Sequence, residues 1–200
     1  MNKRHLLLLF IGLATFSFSQ KITIEEGDFS FLKEVTKLNV TYDYSEMGVG
    51  KFKTEKEYTD KKVSEKNKSK TGNGDIWLES WEGSRERVYQ PKFESLFNKV
   101  LTKRSMDINT GRDDATYTLV VKTTFTEPGW NIGITKKSSA ISFVYTIIET
   151  ESKKVMLKLV QKKVPGSQVM GMDFDTSTRI SESYAKGGKM LAGLIYKKTK

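Results

Sequence analysis

The chain has 200 residues, of which 37% are hydrophobic and 29% charged, with a formal net charge of +10. This length and composition indicate one globular domain and exclude a disordered chain. Cysteine is absent and the single histidine is His5, so the remainder of the chain has no thiol or imidazole for a zinc site, a catalytic triad or a histidine relay.

The N-terminal segment has the pattern of a secretory signal peptide. Lys3 and Arg4 precede an apolar run over residues 6–16, and small residues follow up to Ser19. This run is shorter than the ~20 residues that span a bilayer, so we predict a signal peptide over residues 1–19 with cleavage after Ser19. A retained membrane anchor is the alternative. Without a cysteine at the junction, the product is not a lipoprotein.

Because Lys3 and Arg4 leave with the leader, the mature domain over residues 20–200 has 32 cationic and 24 anionic groups, a net charge of +8. Most of these cations are lysines, which lack the planar fork with which arginine recognises phosphates and bases. The excess predicts a solubilising surface or loose attraction to an anionic envelope polymer or lipid head groups, and no nucleic-acid partner. A periplasmic or secreted location also argues against nucleotide cofactors, and we predict no cofactor.

Period-2 and period-3.6 patterns predict the first elements of the mature domain. Residues 20–31 show no period and are expected to be flexible. Residues 35–44 alternate as a half-buried strand, and a glycine-containing loop follows. Thr54 and Glu57 then form a capping box, which predicts the start of a charged helix to about Asn67.

The next segment predicts two further helices separated by a loop. A short helix begins near Asp75 and carries Trp77 and Trp81 on one face, and Gly83 interrupts it. Arg85 follows in the predicted loop, where we expect it to pair with an acid such as Asp113 or Asp173. Pro91 then starts a helix with a strong apolar face, whose members are Phe93, Leu96, Phe97, Val100 and Leu101.

The second half of the chain predicts three strands and a final helix. Alternation begins at Ala115 and recurs over residues 141–147 and 155–159, which indicates an antiparallel meander. In the last helix, from about Ser177, paired glycines at Gly187 and Gly188 indicate a kink or a close approach to another element. The fold class is therefore α+β with principal elements in the order β-α-α-β-β-β-α, which leaves out the short helix near Asp75, and with helices on one face of an antiparallel sheet of four to five strands.

The glycine loop before the first helix is one candidate binding site. Gly48, Gly50 and Lys51 lie between a predicted strand and a helix start, where backbone amides can hold an anion, and Lys53 adds a second cation. The spacing lacks the pattern of a nucleotide loop, so a simple strand-to-helix turn is the alternative.

Two carboxylates near the last helix are a weak metal candidate. Asp173 and Asp175 are one residue apart and could ligate Ca²⁺ or Mg²⁺ or act as an acid and base. The alternative, which we favour, is that Asp175 caps the helix.

The stretch from Glu127 to Ile134 places a large aromatic residue among glycines between two strands. An exposed Trp130, with Asn131 beside it, would bind a sugar, a peptide or a partner protein. The alternative, which we favour, is that the strands continue through a glycine bulge and that Trp130 packs into the core.

Three stretches resemble a group of small secreted proteins of Gram-negative bacteria that has no assigned activity. The resemblance rests on Arg85-Glu86-Arg87 with Pro91-Lys92-Phe93, on Thr126-Glu127-Pro128-Gly129-Trp130-Asn131, and on Phe174-Asp175-Thr176 with Arg179-Ile180-Ser181-Glu182. More distantly, the element order is similar to envelope accessory domains such as the N-terminal domain of TolB. The resemblance implies an envelope location and assigns no catalytic residue.

These observations predict an exported, non-catalytic envelope protein that binds a macromolecule, either an envelope protein or an anionic polymer. Two alternatives remain open. One is a hydrolase of glycans or lipids that uses carboxylates, with or without a metal. The other is a soluble carrier of an apolar ligand.

The first prediction concerns export. We expect the protein recovered from the envelope fraction to begin at Gln20 when its N-terminus is read by mass spectrometry. A recovered chain that still begins at Met1 would instead support the retained anchor.

Overall fold

The computed structural model describes residues 21–132, 135–166 and 175–200. These residues form nine strands, four α-helices and several short helical turns. The strands are β1 (Ile22–Gly27), β2 (Lys37–Asp43), β3 (Gly48–Val49), β4 (Asp107–Asn109), β5 (Tyr117–Glu127), β6 (Trp130–Asn131), β7 (Lys136–Lys137), β8 (Ala140–Glu149) and β9 (Val155–Pro165). The α-helices are α1 (Glu55–Ser69), α2 (Asn73–Ser84), α3 (Gln90–Leu101) and α4 (Thr176–Lys198).

The main sheet has seven strands in the order β1-β9-β8-β5-β2-β4, and β3 lies beside the end of β5. The predicted meander is confirmed, since β5, β8 and β9 are antiparallel neighbours. However, β2 runs parallel to β4 and to β5, and β3 runs parallel to β5. The expectation of an antiparallel sheet of four to five strands is therefore corrected to a mixed sheet of seven. The helices α1 to α3 form the long crossover that parallel neighbours require.

Two edge strands lie where the sequence pattern shows no period. Residues Ile22–Gly27, expected to be flexible, form β1, which pairs with β9 although five of its six residues are exposed. At the other edge, β4 has only three residues, of which Ile108 is buried. Both strands are defined by backbone hydrogen bonds to one neighbouring strand. Neither strand has an alternating apolar face that the sequence pattern could reveal.

A single helical run from Asn73 to Leu101 replaces the predicted pair of helices and the loop between them. The segment Arg85–Tyr89 is π-helical and joins α2 directly to α3. A π-helical segment accommodates an additional residue without ending the helix. Gly83 does not interrupt the run, and the guanidinium group of Arg87 occupies the space that a side chain at Gly83 would need.

Helices α3 and α4 cover one face of the sheet through a layer of aromatic side chains. The ring of Phe143 on β8 lies 6.4 Å from that of Phe93 on α3 and 5.1 Å from that of Tyr184 on α4. Tyr145, two residues further along β8, is fully buried and donates a hydrogen bond of 2.8 Å to Gln161. Burial of each such side chain contributes ~1.5–3 kcal/mol to the free energy of folding before entropy is counted. This aromatic layer is therefore a main source of stability in the core.

The paired glycines of α4 mark a close approach to other elements, as the sequence predicted. A Cβ atom on Gly187 would lie 2.9 Å from both the Phe143 ring and the Tyr145 hydroxyl. A Cβ atom on Gly188 would overlap the backbone carbonyl of Phe93. Only residues without a side chain allow α4 to lie this close to α3 and the sheet.

The second prediction follows from this contact. We expect Gly188→Ala to lower the free energy of unfolding by about 1–3 kcal/mol, because the added methyl group must displace the backbone of α3. Gly193→Ala is the matched control on the same helix, since no atom lies within 4 Å of the added Cβ. That control should gain up to about 1 kcal/mol from helix propensity. Urea denaturation measures both changes, and a stabilised Gly188→Ala variant would contradict the close contact.

Candidate functional site

The glycine loop, the hairpin formed by β6 and β7, and the start of α4 meet at one end of the sheet. β3 runs beside the last residues of β5, and the N–H of Gly50 donates a hydrogen bond of 2.9 Å to the carbonyl of Thr126. Two residues beyond Thr126, the carbonyl of Pro128 accepts a hydrogen bond of 3.3 Å from Nε of Arg179 on α4. The structure therefore brings together three segments that are distant in sequence.

The start of α1 is capped by the chain's own side chains. The hydroxyl of Thr54 accepts a hydrogen bond of 3.2 Å from the N–H of Glu57. The Glu57 carboxylate in turn accepts one of 3.1 Å from the N–H of Lys53. This arrangement confirms the predicted cap at Thr54, while the reciprocal bond goes to Lys53 instead of the capping residue. The amides of Lys53 and Glu57 therefore bond to acceptors within the chain. The side chains of Lys51 and Lys53 are exposed.

An aromatic cluster lies directly beside these lysines. The ring of Tyr58 on α1 is 5.8 Å from that of Phe52 and 5.9 Å from that of Trp77 on α2. Trp77 also stacks on Trp81 at 5.7 Å. Burial, together with the nearby Glu127 carboxylate, raises the pKa of Tyr58 to about 12, so this phenol is neutral at physiological pH. The sequence indicated the two tryptophans, but the low apolar content of α1 concealed their aromatic partners.

Lysine side chains lie over the rings of this cluster. The ammonium groups of Lys51 and Lys61 are 5.7 and 5.8 Å from the centre of the Phe52 ring. That of Lys62 is 6.0 Å from the centre of the Tyr58 ring. These distances are within the range of cation–π attraction, which holds the cations at the aromatic surface.

A groove of about 600 Å³ separates α1 from α2 and adjoins the aromatic cluster; we name it the α1–α2 groove. The two helices are in close contact at Gly74, where an added Cβ would overlap the carbonyl of Val63 and where the N–H donates a hydrogen bond of 2.7 Å to Asn67. A smaller groove of about 220 Å³, bordered by Lys51, Phe52 and Lys61, shares two lining residues with the α1–α2 groove. The lining residues of the α1–α2 groove are Lys62, Glu65, Lys66 and Ser69 from α1, and Asn73, Ile76, Trp77 and Ser80 from α2.

Positive charge dominates the α1 wall of this groove. Lys61 and Lys62 share one carboxylate, that of Glu65, at 3.6 and 3.5 Å. A small loss of hydration at Glu65 is outweighed by these two ammonium groups, which hold its pKa below the usual value. Lys66 adds a further cation to the same wall. Two lysines line this groove against the single carboxylate of Glu65, and Lys61 adjoins it in the smaller groove, so the groove favours an anionic ligand.

A partly buried ion pair links the two helices that form the groove. Glu55, the first residue of α1, accepts a hydrogen bond of 2.6 Å from the indole nitrogen of Trp81 and pairs with Arg85. The Arg85 guanidinium also lies 4.4 Å from the centre of the Tyr44 ring. Arg85 is therefore in the π-helical segment and not in a loop, and it pairs with Glu55 instead of the expected Asp113. Asp173, the other expected acid, lies outside the described residues.

The space beside this ion pair does not accept a ligand. A cavity lined by Tyr44, Glu55 and Arg85, among others, has a volume of only about 10 Å³. This volume corresponds to roughly one water molecule. It is therefore too small for the apolar ligand of the carrier hypothesis, which requires several hundred Å³, roughly the volume of a ligand pocket.

The hairpin formed by β6 and β7 presents Trp130 at the protein surface. Trp130 is 42% exposed, so the interpretation that we favoured from the sequence, in which it packs into the core, is wrong. A short two-stranded sheet pairs Trp130 with Lys137 and Asn131 with Lys136, outside the main sheet. Asn131 is half-buried. The hairpin leaves the main sheet, and for this reason its tryptophan is not covered.

Asp175 is the N-cap of α4. Its carboxylate accepts a hydrogen bond of 3.0 Å from the N–H of Ser177 and one of 3.1 Å from the hydroxyl of Thr178. Partial burial opposes ionisation, but the hydrogen bonds from Ser177 and Thr178 lower the pKa of Asp175. Asp173, the other candidate, lies outside the described residues. Among the residues that the structure describes, no three acidic or other ligating side chains are grouped so as to hold a metal ion.

A carboxylate-lined cleft of about 310 Å³ lies at the opposite end of β5, where Asp113, Asp114, Glu149 and Glu151 meet. A glycosidase acid requires a raised pKa. The hydrogen bond from Lys37 instead lowers the pKa of Asp114, which keeps this carboxyl ionised. The cleft therefore adds no support for the hydrolase hypothesis.

Comparison with known proteins gives a distant structural likeness. No family model matches the chain, and no curated protein matches it. A solved PelC dodecamer from Paraburkholderia phytofirmans is 9% identical over 82% of this chain and 96% of that chain, with a TM-score of 0.39. A single-site variant of the PelC dodecamer is 11% identical over 86% of this chain and 98% of that chain, at a TM-score of 0.38.

A protein of Xanthomonas campestris assigned to DUF330 is 14% identical over 50% of this chain and 58% of that chain, with a TM-score of 0.27. All three structures come from Gram-negative bacteria, and they do not show the similarity to TolB. Identities and TM-scores this low transfer no activity, assembly or ligand to this chain. Within the described residues, none of the helices is both long and apolar enough to span a membrane.

The third prediction concerns the ion pair that supports the groove. We expect Arg85→Ala to destabilise the protein by about 1–3 kcal/mol, because the partly buried carboxylate of Glu55 loses its cation. Lys56→Ala removes a cation from the exposed Lys56–Asp60 pair and should cost less than about 0.5 kcal/mol. Chemical denaturation followed by tryptophan fluorescence compares the two variants. Equal losses would show that the Glu55–Arg85 pair does not support the helices.

Proposed function

We propose that this chain is an exported, non-catalytic binding protein of the cell envelope that holds an acidic polysaccharide in the α1–α2 groove. The observation that carries the proposal is the combination of lysine side chains and aromatic rings along one groove. Each part matches a different feature of the ligand, since the cations attract its acidic groups and the rings contact its sugar faces.

The aromatic part of the groove suits a sugar ring. Trp77 is half-buried, stacked on Trp81 and therefore held in one orientation. Ile76, which is 68% exposed, extends the apolar surface next to it. A fixed aromatic side chain provides a large contact area at a small cost in conformational entropy. The apolar C–H face of a sugar can stack on such a surface while its hydroxyl groups remain hydrated.

The basic part of the groove suits a polymer with regularly spaced carboxylates. Lys62 and Lys66 are one helical turn apart and lie on the same side of α1. Residues 62–69 of α1 extend over ~10 Å, so a short stretch of polymer would contact several of these side chains at once. Exposed lysines remain hydrated and give modest energies individually, which fits a chain that binds through many weak contacts.

The distribution of arginine disfavours nucleic acid as the ligand. Arg85 is engaged in the partly buried pair with Glu55, and Arg112 pairs with Asp107. Arg179 is 3% exposed at the base of the hairpin. Recognition of phosphates and bases relies on the planar guanidinium group. The cations at the groove are lysines, which serve as point charges.

The fourth prediction tests this function with polygalacturonate as the acidic polymer and dextran as the neutral one. We expect the purified protein to bind polygalacturonate and not dextran in calorimetric titrations, with weaker binding at higher salt because exposed charges are screened. Replacing Lys62 and Lys66 together by glutamine should weaken binding about tenfold, since each exposed pair contributes up to ~1 kcal/mol.

The matched control removes two exposed lysines at the far end of α4, Lys197 and Lys198, also by replacement with glutamine. This control lowers the net charge by the same amount, so it should retain nearly the affinity of the unchanged protein. Trp77→Phe keeps an aromatic ring and should bind better than Trp77→Ala at equal thermal stability. Equal losses in the groove variant and the lysine control would reduce the effect to net charge and refute a site in the groove.

A further inference from the structure

Trp130 and Ile132, together with Lys136 and Lys137 on the opposite strand, form a surface that we name the hairpin tip. Trp130 is 42% exposed and Ile132 is 69% exposed. Neither belongs to the α1–α2 groove, whose lining residues come from α1 and α2. The tip is therefore a second surface that the proposed function does not use.

Two cations lie on the opposite strand of the hairpin, one across from Trp130 and the other across from Asn131. β7 consists of Lys136 and Lys137, both exposed, and Lys137 is the cross-strand partner of Trp130. Lys137 also contacts the Glu127 carboxylate at 2.6 Å at the base of the hairpin. Lys51 lies at the same end of the sheet, next to Gly50, which is bonded to Thr126. The apolar side chains of the hairpin tip are thus bordered by positive charge.

The base of the hairpin is held by buried groups. Gly129 has a φ of +66°, and a Cβ atom there would overlap the carbonyl of Lys137 on the opposite strand. Arg179 donates to the carbonyl of Pro128, and the buried hydroxyl of Ser139 donates a hydrogen bond of 2.7 Å to the carbonyl of Arg179. The exposure of Trp130 is therefore a consequence of a defined hairpin that is fixed to α4.

We propose that this hairpin tip docks on a bilayer surface that contains anionic lipids. Trp130 and Ile132 enter the interfacial region, where tryptophan is favoured, and Lys136 and Lys137 face the anionic head groups. A lysine near an anionic surface strengthens binding about fivefold. Charge complementarity and a projecting apolar tip favour a lipid surface over a protein partner, which would offer a matching concave pocket to the tryptophan.

The fifth prediction tests this docking with vesicles of phosphatidylcholine, either alone or mixed in roughly equal amounts with phosphatidylglycerol. We expect the purified protein to sediment with the mixed vesicles at least about tenfold more strongly than with phosphatidylcholine alone. Replacing Trp130 and Ile132 together by serine should reduce binding to the mixed vesicles by about tenfold or more. Replacing Lys136 and Lys137 by glutamine should remove most of the difference between the two vesicle types.

Two control variants separate this docking from the polysaccharide site. Ile76→Ser removes an equally exposed isoleucine at the groove and should leave vesicle binding unchanged. The glutamine variant of Lys62 and Lys66 should also retain most of its vesicle binding, so that either proposal can fail alone. All variants are compared at equal thermal stability. Equal binding to both vesicle types, or unchanged binding after loss of Trp130 and Ile132, would overturn the proposal.

Fluorescence gives an independent readout of depth. Bromine-labelled lipid in the mixed vesicles should quench part of the tryptophan emission of the unchanged protein. In Trp130→Phe this quenching should largely disappear, because Trp77 and Trp81 remain away from the bilayer. Quenching that persists in this variant would place another face of the protein on the membrane and would contradict docking through the hairpin tip.

Discussion

The close contact of α4 with α3 and the sheet at Gly187 and Gly188 positions the end of the molecule where the glycine loop and the β6–β7 hairpin lie. One turn before these glycines, Tyr184 stacks on Tyr89 of the π-helical segment with 5.2 Å between ring centres. The hydroxyl of Tyr184 also shares a hydrogen bond of 2.6 Å with that of Thr123 on β5. Further towards the start of α4, Arg179 holds the carbonyl of Pro128. A displaced α4 would therefore change the position of the π-helical segment that follows α2 and the position of the base of the hairpin.

Arginine and lysine have different positions in this structure, and their chemistry explains why. Arg85 and Arg179 occupy mostly or fully buried sites, where a planar group with several donors can satisfy carboxylate, carbonyl and hydroxyl acceptors together. The lysines of α1 and of β7 keep their strongly hydrated ammonium groups at the surface. As a result, the buried arginines organise the fold, whereas the exposed lysines set the charge that an approaching ligand meets.

The predictions that succeeded rest on local patterns. The apolar repeat of α3 and the alternation of β5 and β8 each report one buried face of one element, so they are readable without knowledge of the neighbours. Thr54 and Asp175 were likewise identified as caps, because a cap bonds to amides two or three residues away. These features identify the residues of the core. They also show that the lysine-rich segment lies outside the core.

The predictions that failed concern partners that are distant in sequence. Parallel pairing of β2 with β5 depends on a crossover of more than seventy residues, and β1 is a strand only because β9 supplies its hydrogen bonds. The aromatic cluster of Phe52, Tyr58 and Trp77 was missed for the same reason. Its rings come from a loop and two helices, and none of these segments shows a strong apolar period by itself.

The amino-acid sequence by itself determined the α+β class, the meander, the lysine excess and the lack of thiol and imidazole groups after residue 20. These properties depend on composition and on contacts within a few residues. Only the tertiary structure decided that the glycine loop, the hairpin and the start of α4 share one end, that Trp130 is exposed and that Arg85 pairs with Glu55. Those outcomes depend on which elements become neighbours in space. Side-chain complementarity between distant elements determines the neighbours, and the periodicity within one element does not report it.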